Sequence, residues 1–332
     1  MVNRHGKSFF ALIAVVFAIV LAGVTCCAEE DLDAVSDRYE DRFVQLNRWL
    51  ETAPAPGVMQ AEREKTLKTI DEPLAHPDAD KLKCARDFFN VRMETMINDI
   101  RRENVEEGVT VWKLYNHGEV IQTGKIKIII DLIEGQKAFL WDRGNLIKLI
   151  DMMDVLLVTH KHADHVDRTI VGLFLDRGKP VIVPELFWPD YPRNDELQVI
   201  REGVLNFPGA KVRVIPSYQK MDMVNVYLVT TDEGYKLMHL GDENEIMRTG
   251  QEWYRRIRKP VEIDILMPNI WCPNIKPLLD KVHPKVVLSS HEHEVGHPVR
   301  GRRPYTYVYG VLRALGLPYV VPMWGEPVRY KK

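Results

Sequence analysis

The sequence predicts an α/β protein in which two mixed β-sheets are covered by helices, with a helical extension ahead of them. Three observations carry this expectation. Residues 108–132 read as three short strands in succession. From Asn145 onward, strand and helix patterns alternate. Residues 31–107 hold helical periodicity with almost no strand signal. A meander followed by αβ units yields sheets with both antiparallel and parallel pairs.

The 332 residues allow one large domain, or one domain with a smaller appendage. A content of 45% hydrophobic and 28% charged residues suits a sizeable core. The net charge of −2 supplies no polybasic field, so nucleic acid is not an expected partner. Arg101-Arg102 and Arg302-Arg303 read as solvated pairs.

Residues 1–28 stand apart. Arg4 and Lys7 precede the uncharged run FFALIAVVFAIVLAGVTCCA, and acidic EED follows at once. This is the layout of a secretory signal. Three outcomes are open. Ala28 is a suitable cleavage point; Cys26 or Cys27 is a lipidation point, although Gly23-Val24-Thr25 makes a poor lipobox; and the run Phe9–Ala28 is long enough to remain as an uncleaved anchor. Each places the body outside the cytoplasm: periplasmic, secreted or tethered to a membrane through the N-terminus. Cys84 and Cys272 then remain, either as one disulfide or as two buried thiols.

In the extension (residues 29–107), Val35, Tyr39, Phe43, Leu46 and Leu50 recur at helical spacing and stop before Pro54-Ala55-Pro56-Gly57. A second amphipathic helix is expected near Asp80–Arg102, with Leu82, Phe88, Phe89, Met93, Met96 and Ile100 as its apolar stripe. Pro73 and Pro77 mark a break between the two.

The body (residues 108–332) opens with strands Thr110–Tyr115, Val120–Thr123 and Lys125–Leu132, the first turn being Asn116-His117-Gly118. A helix near Asn145–Met152, strand Val155–Thr159, a helix from Val166 to Asp176 and strand Val181–Pro184 follow. Next are a helix near Glu196–Gly203 and strands Lys211–Ile215, Val224–Thr230 and Tyr235–Leu240. The last units are helix Glu245–Arg258, strand Ile263–Met267, helix Ile275–Val282, strand Val286–Ser289 and helix Tyr305–Leu315, closed by Gly316 and Pro318.

Three of these strands end in chemistry. Val155–Asp167 reads VLLVTHKHADHVD: an apolar strand delivers His160, His162, Asp164 and His165 within six positions. No packing requirement explains three imidazoles and a carboxylate there, and they are ligand types for zinc or iron. Strand Tyr235–Leu240 ends in Gly241-Asp242, where the glycine permits a tight turn and the carboxylate projects from the sheet edge. Strand Val286–Ser289 ends in SHEHEVGH, with His291 the first imidazole off the strand; His293, Glu294 and His297 suit a pocket lining or the support of ligands. His239, on a strand, reads as a core histidine donating to a neighbour. His76, His117 and His283, beside Pro or Gly, read as surface.

HKHADH resembles the HxHxDH signature of the metallo-β-lactamase fold superfamily of metal-dependent hydrolases. The order also agrees across about residues 108–300: meander, Asp131 after the third strand, HxHxDH, the Gly-Asp aspartate, then a strand-end His. The resemblance implies a four-layer αβ/βα sandwich and a centre for one or two ions, zinc or another divalent metal such as iron or manganese. By position it puts His160 and His162 on one metal and Asp164, His165 and His291 on a second, with Asp242 bridging. The family's further His, after the strand corresponding to Lys211–Ile215, is missing: Tyr218 or Gln219 stands there.

The implied chemistry is hydrolysis of an ester, lactone or phosphodiester, on a small-molecule or lipid-like substrate, by the branch containing lactonases and phosphodiesterases. Asp164 would orient or deprotonate the water as well as ligate. Tyr218, His293, His297 and Lys161 are candidates to hold substrate or protonate the leaving group, with Lys161 expected to point away from the metal. Trp271 and Asn269 are candidates for the mouth. The alternative is a non-catalytic or single-metal exported binding protein on the same fold, for which the missing His argues. A Cys or Ser hydrolase has no nucleophile elbow to support it.

Overall fold

A computed structural model describes residues 30–55, 60–135, 139–244, 253–257, 259–271 and 275–332. Residues 1–28, and with them the three outcomes for the N-terminal segment, lie outside this set, as do Cys272 and most of the expected helix Glu245–Arg258. Among the described residues no helix is long and apolar enough to cross a membrane.

Two seven-stranded sheets face each other. The first holds β1 (Val109–Lys113), β2 (Glu119–Gln122), β3 (Lys127–Ile130), β4 (Val155–Leu157), β5 (Val181–Val183), β6 (Gln198–Val199) and β14 (Pro327–Tyr330), in the order β14-β1-β2-β3-β4-β5-β6. The second holds β7 (Gly203–Phe207), β8 (Ala210–Gln219), β9 (Asp222–Thr231), β10 (Lys236–His239), β11 (Val261–Met267), β12 (Val282–Leu288) and β13 (Tyr319–Val320), in the order β13-β12-β11-β10-β9-β8-β7. Both are mixed: pairing is antiparallel from β14 to β3 and from β7 to β10, and parallel beyond.

Alternation along each strand splits the side chains between the two faces of its sheet. Val111, Ile128, Ile130 and Leu157 meet Val212, Val229, Leu237 and Ile265 between the sheets. The opposite residues, such as Trp112, Ile129 and Leu156, pack outward onto helices, and Val226, Met238 and Leu266 do the same for the second sheet. Four layers result, as expected from the sequence.

The helices of the extension, α1 (Leu32–Thr52), α2 (Gln60–Leu67), α3 (Asp71–Leu74) and α4 (Lys83–Arg102), share one apolar cluster with the outer face of the first sheet. Val35, Tyr39, Phe43, Leu46 and Leu50 are buried on α1, and Phe88, Phe89, Met93, Met96 and Ile100 on α4. Phe89 rings pack edge-on against Tyr115, Trp141 and Trp324. Polar anchors reinforce this. Arg63 of α2 pairs with Glu326 in full burial, and Arg63 Nε donates to the Val321 carbonyl at 2.8 Å. Asp71 caps the helix Tyr305–Leu315, accepting from the Tyr305 and Thr306 amides at 2.7 and 3.1 Å.

Several elements depart from the sequence reading. Residues 196–203, expected as a helix, form a 3-10 turn (Asn194–Glu196) and then β6 and β7. Sheet pairing with β5 and β8 overrides weak helical spacing there. Helix α2 was not expected, because QAEREKTL carries no apolar stripe; it docks through Arg63 and Leu67. Strand β14 forms by pairing with β1 across the length of the chain.

Candidate metal centre

The parallel run of β3 and β4, and the matching direction of β1, bring several strand ends to one edge. Asp131, next after β3, sits at φ 53 and serves the neighbouring loop. Its carboxylate accepts from the Thr159 amide at 2.8 Å, the Thr159 hydroxyl at 2.6 Å and His165 Nδ1 at 2.7 Å. With Nδ1–H committed, His165 presents its Nε2 lone pair forward. Gly241 is required where it stands: at φ 55, a Cβ would lie 2.7 Å from Thr159 Cβ. The tight turn delivers Asp242 beside the histidines.

His160, His165, Asp242 and His291 are buried and brought together. Ligand atoms of His160, His165 and Asp242 all lie within 4.8 Å of one another. Asp242 Oδ1 is 3.2 Å from His165 Nε2 and 2.7 Å from His291 Nε2, and Asp242 Oδ2 is 3.9 Å from His160 Nε2. Yet Asp242 Oδ1, His165 Nε2 and His160 Nε2 complete no hydrogen bond. Orphaned buried polar atoms of this kind are costly alone. Two imidazole nitrogens and a carboxylate oxygen converging on one point fit a divalent transition metal.

The charges respond to that crowding. Burial opposes ionisation of His291, but Asp242 and Glu294 outweigh it and lift its pKa to about 10. Burial likewise opposes a charge on His165, and Asp242 with Asp131 overrides it and raises the pKa well above the usual range. Asp242 is held well below the ordinary carboxylate range against its burial by His291 and His165. Burial, aided by His165, pushes His160 well down. Backbone strain concentrates here as well, with φ of 62 at His291 and 45 at His293.

Asp164 is buried nearby, its Oδ2 3.9 Å from His165 Nε2 and 3.7 Å from His297 Nε2. A cleft of about 390 Å³ opens over these groups, lined among others by His162, Gln219, Lys220, Trp271, His297 and Arg303.

Some sequence candidates stand elsewhere. His162 lies at the rim, 37% exposed, with Nε2 3.0 Å from Asp222 Oδ2, and Lys161 pairs with the same carboxylate at 2.7 Å. Lys161 points away from the cluster, as expected. Tyr218 is absent from the cleft lining; Gln219 lines it instead and donates to Asp242 Oδ2 at 2.9 Å. Neighbours on β8 face opposite sides, so only one can enter. His293 turns from the cluster toward the extension, its Nε2 2.7 Å from Asp71 Oδ1. His239 is a core histidine, as expected, donating to Glu119 at 2.8 Å.

His117, expected at the surface, is fully buried, 3.1 Å from His291 Nε2 and stacked on His239. Its signal was topological: the β1–β2 turn leaves the sheet at the edge that carries HKHADH. Asn116 fastens that turn, its carbonyl accepting from the His291 amide at 3.2 Å and its Nδ2 donating to the Asp164 carbonyl at 3.0 Å.

In sequence, neither a family model nor a curated protein matches the chain. In structure, it is similar to Igni18, a metallo hydrolase from the archaeon Ignicoccus hospitalis, with 16% identity, a TM-score of 0.53, and coverage of 68% of this chain and 99% of that one. A possible metal-dependent hydrolase from Veillonella parvula gives 12% identity, a TM-score of 0.50, and coverage of 68% and 100%. The metallo-β-lactamase fold protein YhfI from Bacillus subtilis gives 10%, 0.46, 68% and 100%.

Proposed function

We propose, from the metallo-β-lactamase fold of this chain, an exported metal-dependent hydrolase acting on an ester, lactone or phosphodiester. One observation carries the proposal: the buried, hydrogen-bond-free convergence of His160 Nε2, His165 Nε2 and Asp242 Oδ1. Asp164 and His291 would complete the ligand set. Zinc fits these donors, as do iron and manganese. When bound, such an ion supplies Lewis acidity and brings the pKa of a water from 15.7 to about 7.

The chain's own groups divide the remaining work. Asp131 and Glu294 fix the tautomers of His165 and His291 by taking their Nδ1 hydrogens, at 2.7 Å each. Asp164 Oδ2 stands where it can accept a proton from the attacking water and pass it to His297, 3.7 Å away and partly exposed in the cleft. His297 is thereby the candidate to protonate the leaving group. Trp271 offers an apolar wall. Lys220 and Arg303 line the same cleft and, among the described residues, have no ion-pair partner; Arg303 Nε is buried without a hydrogen bond. Two cations without a carboxylate partner among the described residues, Arg303 lying over the Tyr307 ring at 5.0 Å, favour an anionic substrate, hence a phosphodiester over a neutral ester or lactone.

Export rests on Arg4 and Lys7 ahead of the apolar run of residues 9–28. The second reading, a single-metal or non-catalytic protein, is favoured by His162, which engages Asp222 instead of the cluster. Metal analysis of protein purified under zinc-replete conditions separates the two. About two equivalents support the hydrolase, one supports the single-metal form of the second reading, and none sinks the hydrolase. A screen of phosphodiesters, esters and lactones, with and without chelator, then tests the reaction, and cell fractionation tests export.

A further inference from the structure

We propose that His117 is a metal ligand through Nδ1, giving the Asp242–His291 side of the centre an imidazole from the β1–β2 turn. The inference rests on the cluster being a metal centre and adds an imidazole on the side away from His160 and His162.

His117 Nε2 lies 3.3 Å from the Met267 carbonyl oxygen, which only accepts, so Nε2 carries the hydrogen and Nδ1 the lone pair. His291 Nδ1 lies 2.7 Å from Glu294 Oε1, which accepts its hydrogen and turns Nε2 toward the cluster. His117 Nδ1 lies 3.1 Å from this Nε2, and Asp242 Oδ1 lies 2.7 Å from it. Ligand atoms of His117, Asp242 and His291 are all within 4.8 Å of one another, and all three residues are buried. A cation among them would be held by all three at once.

The turn is also built to hold His117 there. Asn116 adopts φ 57, its carbonyl accepts from the His291 amide and from Lys113 Nζ, and its side chain grips Asp164. His239 stacks on the His117 ring at 4.0 Å and donates to the His117 carbonyl at 2.9 Å. Its freedom to rotate away is small.

The two metal positions therefore differ. The one on His117, His291 and Asp242 is enclosed and backed by the Met267 carbonyl and Glu294; the one on His160, His165 and Asp242 depends on His160, which the Thr159 hydroxyl holds, and on the rim residue His162. One ion should be held tightly and one loosely.

The test uses full-length protein with 15N-labelled histidine. His165 and His291 present Nε2 and commit Nδ1, so a metal-bound Nδ1 signal on adding one equivalent of zinc identifies His117. In parallel, H117A should keep its native fold without metal, read by circular dichroism, and lose the tight ion. The expected weakening exceeds the ~10–100-fold that loss of a mere supporting hydrogen bond costs. Zinc binding with the His117 Nδ1 signal unmoved overturns the inference and leaves the proposed function standing. Absence of zinc binding in the wild type overturns both. Should H117A not fold, the wild-type spectrum decides alone.

Discussion

The two sides of the centre are built differently. On the His165–His291 side, each imidazole has a carboxylate behind it, Asp131 and Glu294, so ring orientation and tautomer are set before any ligand arrives. On the His160–His162 side, His160 has only the Thr159 hydroxyl at 3.0 Å, and His162 is partly exposed and engaged by Asp222. Residues from one short motif thus enter opposite regimes, one rigid and dry, the other adjustable and open to the cleft. A metal site gains affinity from preorganised ligands, whereas an exchangeable position needs some of them free to move.

The comparison breaks most completely at the residue both sides share. Asp242→Ala should abolish metal binding and reduce hydrolysis to background, and His165→Ala should do the same; metal content measured on folded variants checks both. Asp131→Asn leaves the ligands in place but removes the carboxylate that sets His165. Its expected cost is ~10–100-fold in metal affinity, read by competition with a chelator of known strength. Asp222→Ala probes the loose side. Freed of its partner, His162 should leave affinity unchanged or raise it a few-fold, and a fall would mean that Asp222 supports a ligating His162 instead of restraining it.

His293 supplies the mildest contrast, since it follows His291 by two positions yet serves the extension. Asp71 is held below the ordinary carboxylate range, against its burial, by His293 and Thr306. Its contribution to stability is therefore complete above the unfolded pKa of about 3.9 and is lost as pH falls through the lower folded value. Denaturation curves between about pH 2 and 6 should show a smaller loss of stability in Asp71→Asn than in the wild type, because the other carboxylates of lowered pKa still titrate.

Much of this was legible in the sequence, because strand periodicity and strand-end ligands are local signals. The apolar run before His160, the glycine before Asp242 and the placement of His291 each depend on a few adjacent residues. What escaped depends on partners far along the chain. His117 reads as a turn residue beside Gly118, and only the strand order places that turn against His291. Arg63 carries no local sign of burial and is buried because Glu326 meets it. Gln219, not Tyr218, enters the cleft because strand register decides which face a residue takes. Strand β7 lies at the sheet edge, with an exposed alternating pattern that leaves little apolar signal.

The pairing of β1 with β14 has a kinetic consequence. Val109 sits beside Tyr330, so one edge of the first sheet stays open until the far end of the polypeptide has been made. Contacts of such sequence separation close slowly and late, and an unpaired strand edge invites association with other chains in the meantime. Glu326, just before β14, is also what neutralises Arg63 of the extension. Sheet closure and docking of the first helices should therefore form a single late step in folding, so that a nascent chain carries its metal-binding motif long before it has a sealed site to put it in.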